Sequence, residues 1–241
     1  MDPALAAPAD RPVTWCVVEA RGDQAQSFLQ GQLSCDVGAL GTLDGIPGLL
    51  LEPSGEVVTS LRCVDHPLGV DLIVRAEMAD VVVARLRRFL LRTRCSVEVG
   101  APVPGDYGSV SAQVASGAPG PAEFARRLTP HSFGARFVAQ NVSFTKGCFT
   151  GQELVGRLDA RGASTPFRLA RLSGGDLDAV VHVAASAGPS GERGLQGVST
   201  LWCDETVHAL GIVHRSLLGE RTSALIEGVT VELLHGAASA S

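Results

Sequence analysis

A single thiol stands inside FTKGCFTGQELVGRLDARG, residues 144–162: Cys148, two residues after Lys146 and two before Thr150. Thr150 and Glu153 have the spacing of a capping box, in which the hydroxyl accepts from the N3 amide and the carboxylate reaches back to the cap amide. The pattern predicts a helix from Gly151, with Leu154, Val155 and Leu158 on one side and Gly162 as its stop. A cysteine just outside such a helix sits where unpaired amides and the helix dipole favour negative charge, and Lys146 adds a second positive source. Such surroundings make a cysteine reactive. The competing reading is a small buried hydrophobe in a glycine-bordered turn, the commoner fate of a free cysteine.

These residues need a scaffold, and the composition supplies one. The chain has 241 residues, 45% of them hydrophobic and 19% charged, with a mean hydropathy of +0.21. That is ample for a large core in one or two domains. The net charge is -5, and the basic residues are dense only over Arg85, Arg87, Arg88, Arg92 and Arg94, which read as the solvated face at the end of an amphipathic helix. Nucleic acid is therefore not the expected partner. No stretch reaches the roughly 18 apolar residues of a membrane span, and MDPALAAPADRP lacks a basic segment followed by an apolar one, so the expectation is a cytoplasmic protein with no membrane partner. Six cysteines, at 16, 35, 63, 95, 148 and 203, show no C-x-x-C spacing. This argues against a zinc site and a disulfide framework and fits a reducing compartment. The histidines include no H-E-x-x-H, so no metal is expected.

Along the chain, VTWCVVEA (13–20) reads as a strand, followed by a helix that Asp23 caps with Gln26 at N3 and that buries Ala25, Phe28, Leu29 and Leu33. PGLLLEPSGEVVTSLRCVD (47–65) is a hairpin about a Pro-Ser-Gly turn. The strand GVDLIVRA (69–76), the helix EMADVVVARLRRFLL (77–91) and the strand RCSVEV (94–99) follow, which suggests an antiparallel sheet with helices on one face. Gly and Pro thicken over 100–121, read as loop or a weak edge hairpin. From residue 166 the runs RLARLS, AVVHVAAS, GVSTLWC, HALGIVHRS and SALIEGVTVELL look strand-like, predicting an all-β C-terminal domain.

Two of these segments resemble one family. KGCFTGQELVGR (146–157) is similar throughout to the K-G-C-[YF]-x-G-Q-E-x-x-x-R signature of the YgfZ family, folate-binding relatives of the glycine cleavage system T-protein (GcvT) that support iron-sulfur enzymes. GDQAQSFLQGQLSCDV (22–37) resembles that family's N-terminal element, with Gln24 in place of an Asp. The family often carries an acidic element before the signature, whereas PHSFGARFVAQNVSF (130–144) has no acid.

The resemblance implies an α+β fold of T-protein-like antiparallel sheets with packed helices over residues 13–163, then a small C-terminal all-β barrel or sandwich over 166–236. It implies tetrahydrofolate or a derivative as cofactor, and iron-sulfur client or assembly proteins as partners. Cys148 would be the functional thiol and Lys146 its electrostatic partner. Gly147 and Gly151 would admit ligand and backbone closely. Gln30 and Gln32 would line the folate channel, and Gln152, Glu153 and Arg157 would stand on the ligand side of the signature helix. Local chemistry offers plainer accounts of the last two: a capping box explains Glu153, and an i,i+4 ion pair worth about 0.3–0.5 kcal/mol explains Arg157. The leading function is a tetrahydrofolate-binding accessory protein for assembly or repair of iron-sulfur enzymes. The alternatives are a folate-dependent aminomethyltransferase of the T-protein type and a non-catalytic folate-binding scaffold in which Cys148 only packs.

Overall fold

A computed structural model describes residues 10–41, 45–105, 108–162, 165–186, 197–203 and 205–234. In chain order it contains β1 (Trp15–Arg21), α1 (Ala25–Gln32), β2 (Ile46–Leu51), β3 (Val57–His66), β4 (Gly69–Arg75), α2 (Ala79–Arg87) and β5 (Ser96–Pro102). Then come α3 (Val110–Ser116), α4 (Pro121–Phe124), α5 (Ala135–Asn141), α6 (Gln152–Ala160), β6 (Phe167–Gly174), α7 (Leu177–Ser186), β7 (Gly197–Cys203), β8 (Val207–His214), β9 (Ser223–Ile226) and β10 (Val229–Leu233). It is an α+β chain with two antiparallel five-stranded sheets. By contact it divides into two compact units, one of Thr14–Tyr107 and Phe137–Ala163, the other of Met1–Val13, Gly108–Arg136 and Ser164–Ser241.

In the first unit the strand order is β2-β3-β4-β1-β5. Alternation along β1 places Cys16, Val18 and Ala20 inside, where they meet Leu61 and Cys63 of β3 and Val70, Leu72 and Val74 of β4. The same core takes Ala25, Phe28 and Leu29 from α1 and Ala79, Val82, Val83 and Leu86 from α2. Each large apolar side chain among them contributes about 1.5–3 kcal/mol on burial, which fixes both helices to this face of the sheet. The other face carries the intervening positions, with Val17 opposite Ile73 and Ile73 opposite Arg62. The expected cap of α1 is not formed. Asp23 pairs with Arg94 at 2.8 Å, Gln26 donates to the Val37 carbonyl at 3.0 Å, and Gln24 stands at the N-cap with its Oε1 accepting from the Arg94 amide at 2.7 Å rather than from its own helix. The return of the chain between β4 and β5 brings Arg94 to Asp23, and that contact lies outside any local pattern.

In the second unit the order is β7-β8-β6-β10-β9, with Leu172, Ala209, Val213, Val229 and Val231 in its core. The HALGIVHRS segment supplies the strand β8, paired to both β6 and β7. AVVHVAAS, expected as a strand, is helix α7: the Asp176 carboxylate accepts from the Ala179 amide at 2.7 Å, and Val180 and Val183 are buried together at i,i+3. Its β-branched valines resemble a strand run because sheet burial overrides propensity in both directions. The 100–121 region also carries more than loop. Ser109 accepts from the Ala112 amide to start α3, and Gly117, with a φ of +68°, ends it.

Candidate functional site

The signature forms a tight turn followed by α6, and its cation holds that turn to the first unit. The Lys146 side chain is buried, yet all three of its hydrogens are used: Nζ donates to the carbonyls of Gln30 at 2.5 Å, Leu33 at 2.6 Å and Cys35 at 2.8 Å. These oxygens lie at and just beyond the end of α1, where a helix leaves its last carbonyls unpaired and favours positive charge. The ammonium also sits 5.1 Å over the Phe149 ring. Burial depresses the Lys146 pKa, while the nearby Cys35, Asp36 and Cys63 groups favour its charged form.

The expected capping box at the start of α6 is absent. The N-cap is Gly151, with a φ of +83° and no side-chain bond. A Cβ there would lie 2.6 Å from the Glu52 carbonyl oxygen, so this glycine lets the signature pack against the β2–β3 turn. Thr150 is turned away from the helix: its amide donates to the Gly31 carbonyl at 3.1 Å and its hydroxyl to Gln32 Oε1 at 3.3 Å. A positive φ at Gly151 swings the preceding side chain off the helix axis, which sequence spacing does not register. Thr150→Ala is therefore expected to cost no more than about 1 kcal/mol, the worth of one long hydrogen bond, and to leave α6 in place. A urea-melt loss above about 2 kcal/mol would restore the capping role.

The remaining signature residues occupy local roles. Gln152 Oε1 accepts from the Phe149 amide at 3.3 Å. Glu153 is solvent-exposed and lies 3.6 Å from Arg157. Gln30 donates to Asp36 Oδ1 at 2.8 Å and accepts from the Gly38 amide at 3.2 Å, bracing the turn after α1. Gly147 has open space where a Cβ would be. Cys148 is exposed rather than a buried hydrophobe, while Cys16, Cys35 and Cys63 are buried and Cys95 and Cys203 are intermediate. Burial also pushes the Cys16 and Cys95 thiols up. Iodoacetamide at neutral pH is expected to label Cys148 ahead of the other five, and Cys148→Ala to change stability by less than about 0.5 kcal/mol. Peptide mapping that finds another cysteine labelled first would overturn this.

A cavity of about 470 Å³ lies against the second face of the first sheet, lined by Trp15, Pro47, Ser60, Leu61, Arg62, Ile73, Val103 and Asn141. None of the signature residues is among its walls. Trp15, Ser60, Arg62 and Ile73 reach it because they occupy alternate positions of β1, β3 and β4, opposite the core-facing residues. The Arg75 guanidinium lies 5.9 Å over the Trp15 ring, and Arg62 donates to the Gly45 carbonyl at 3.3 Å. Asn141 is held from two sides: its carbonyl accepts from Ser34 Oγ at 2.6 Å and its Nδ2 donates to the Phe137 carbonyl at 2.8 Å. Sequence reasoning passed over these residues because a lone Trp or Arg in a strand carries no motif. The available signal was their shared parity on adjacent strands.

This architecture is that of the aminomethyltransferase fold. The structure matches the glycine cleavage system aminomethyltransferase T from Bartonella henselae with a TM-score of 0.60 at 12% identity, over 95% of this chain and 85% of that one. In sequence, 89 residues, 37% of the chain, are 26% identical to the tRNA-modifying protein YgfZ of Photobacterium profundum. The chain is thus YgfZ-like in sequence and T-protein-like in fold, although the match spans 27% of that relative's length. No model of a known protein family matches it. Among the described residues, no helix is long and apolar enough to cross a membrane and no group of three or more His, Cys, Asp or Glu could hold a metal ion.

Proposed function

We propose that the chain binds a reduced folate in the cavity beside Trp15 and serves iron-sulfur enzymes as an accessory protein, with Cys148 as its working thiol. The cavity's chemistry carries the reading. Its Trp15, Leu61 and Ile73 walls suit a flat bicyclic pterin, the Ser60 hydroxyl and the Asn141 amide can pair with the polar edge of that ring, and the Arg62 guanidinium suits the glutamate carboxylates. Bound there, the folate would supply a one-carbon carrier, while the chain's residues orient it and shield one face from water. The T-protein-like fold and the YgfZ-like segment support this choice of ligand.

The exposure of Cys148 favours a working thiol over a scaffold in which that residue only packs. Lys146 takes the part of a positioning residue, holding the turn that presents Cys148 rather than meeting the ligand. Calorimetric titration tests the assignment. Arg62→Ala is expected to weaken tetrahydrofolate about 10- to 100-fold, the loss of a charge-assisted contact, and to leave a reduced pterin without the glutamate tail unaffected. Trp15→Ala should weaken both. Tetrahydrofolate binding no better than unrelated pterins, or unchanged in both variants, would remove the cavity from the argument. Restoration of iron-sulfur enzyme activity in a deletion strain by Cys148→Ala would leave the scaffold reading in its place.

A further inference from the structure

We propose that Cys35 and Cys63 form a buried, reversible dithiol–disulfide site that is oxidised by a small peroxide. The inference stands apart from folate binding. The two sulfurs lie 3.7 Å apart, at van der Waals contact, and must close to about 2.0 Å to bond. Both residues are buried, at 2% and 0% exposure, and they come from separate elements: Cys35 follows α1 and Cys63 lies on β3. The neighbouring strand is shaped for the pair. A Cβ at Gly48 of β2 would lie 2.4 Å from the Cys35 sulfur, so the space a side chain would fill at this position holds the thiol instead.

The surroundings divide the two roles. A hydrogen bond from the Cys63 thiol, aided by the Lys146 charge, holds the Cys35 thiol below the usual cysteine range despite its burial. The same contact and burial push Cys63 well up. Cys35 is therefore the attacking sulfur and Cys63 the resolving one. The buried ammonium whose Nζ lies 2.8 Å from the Cys35 carbonyl oxygen favours a thiolate and opposes a metal cation, which selects a disulfide over a two-thiolate metal site.

In the first step the Cys35 sulfur attacks one oxygen of hydrogen peroxide, the O–O bond breaks, and the other oxygen leaves as water with the thiol proton, giving a sulfenic acid. In the second the Cys63 sulfur attacks Cys35, the S–O bond breaks, and the hydroxyl leaves as a second water with the Cys63 proton. The thiols lose two electrons and the peroxide gains them. A small dithiol reverses the change by exchange. The bond joins the segment after α1 to β3, beside the carbonyl that Lys146 holds, so it stiffens the base of the signature turn.

The test treats the reduced full-length protein with hydrogen peroxide without denaturant, then unfolds, alkylates and maps it. The expected result is a peptide linking Cys35 to Cys63, short of two hydrogens, with these two thiols lost from the six of the chain in addition to any oxidation of the exposed Cys148, and a higher melting temperature for the oxidised form. Cys148→Ser should form the same link. In Cys63→Ser a sulfenic acid trap should label Cys35, whereas in Cys35→Ser Cys63 should stay unlabelled. Recovery of both cysteines as free thiols after peroxide has consumed Cys148, or a link that forms only in denaturant, would overturn the proposal. Both outcomes can be read in the wild-type chain, even if a serine variant fails to fold.

Discussion

Lys146→Met is expected to destabilise the first unit by about 3–5 kcal/mol, the range for removing one partner of a buried charged contact. Methionine preserves the apolar stem but removes three donors, and the carbonyls of Gln30, Leu33 and Cys35 lose their bonds to Nζ. The Cys35 oxygen keeps a second bond, from the Val37 amide at 3.1 Å, so the loss falls mainly on the other two, at about 1–3 kcal/mol each. A drop of roughly 10 °C in melting temperature corresponds for a chain of this size. Lys146→Arg should not rescue, because a planar guanidinium fork cannot aim three donors at oxygens that converge on one nitrogen.

The same group gives the stability a pH dependence of known sign. Burial sets its folded pKa below the ordinary 10.5, so between the two values the unfolded chain binds more protons and this contribution rises with pH. The methionine variant should lose that rise. A variant melting within about 1 kcal/mol of wild type would mean that water replaces the ammonium, and the clamp would lose its energetic importance.

Gly151→Ala is the second large effect, expected at about 2–4 kcal/mol. A φ of +83° costs an L-residue about 1–2 kcal/mol by itself. The added carbon would also lie 2.6 Å from the Glu52 carbonyl oxygen and 3.1 Å from the Leu51 Cβ, and backbone cannot yield as a flexible side chain does. Gly147→Ala is the matched control, because nothing lies within 4 Å of its Cβ position. Urea melts of the two variants should separate them by at least about 1.5 kcal/mol. Equal losses would show that the signature tolerates no side chain anywhere along its turn, and the close approach to Glu52 would lose its special standing.

Much of the scaffold is legible in the one-dimensional pattern, for a physical reason. Strands with one buried face must alternate, as Cys16, Val18 and Ala20 do, and amphipathic helices must repeat at three and four, as Val82, Val83 and Leu86 do. The hairpin at Pro53–Gly55 follows from such short-range rules, and so does the helix expected over 77–91, which forms as the shorter Ala79–Arg87. The valines of α7 defeat the same rules, because a run of β-branched residues satisfies a strand pattern and its helix depends on a cap at Asp176 and a core beneath it.

The site divides along the same line. Sequence alone marked the signature and singled out Cys148, since an unusual string of types at fixed spacing is a one-dimensional property. Tertiary structure decided what each member does. Lys146 serves carbonyls more than 110 residues earlier in the chain, Thr150 bonds to Gln32 instead of capping its own helix, and Trp15, Arg62 and Asn141 meet at a cavity no spacing announces. Cys35 and Cys63 touch only because α1 and β3 pack in one core. Local patterns encode which face of an element is buried, whereas partners across a fold are chosen by packing, which depends on the whole chain at once.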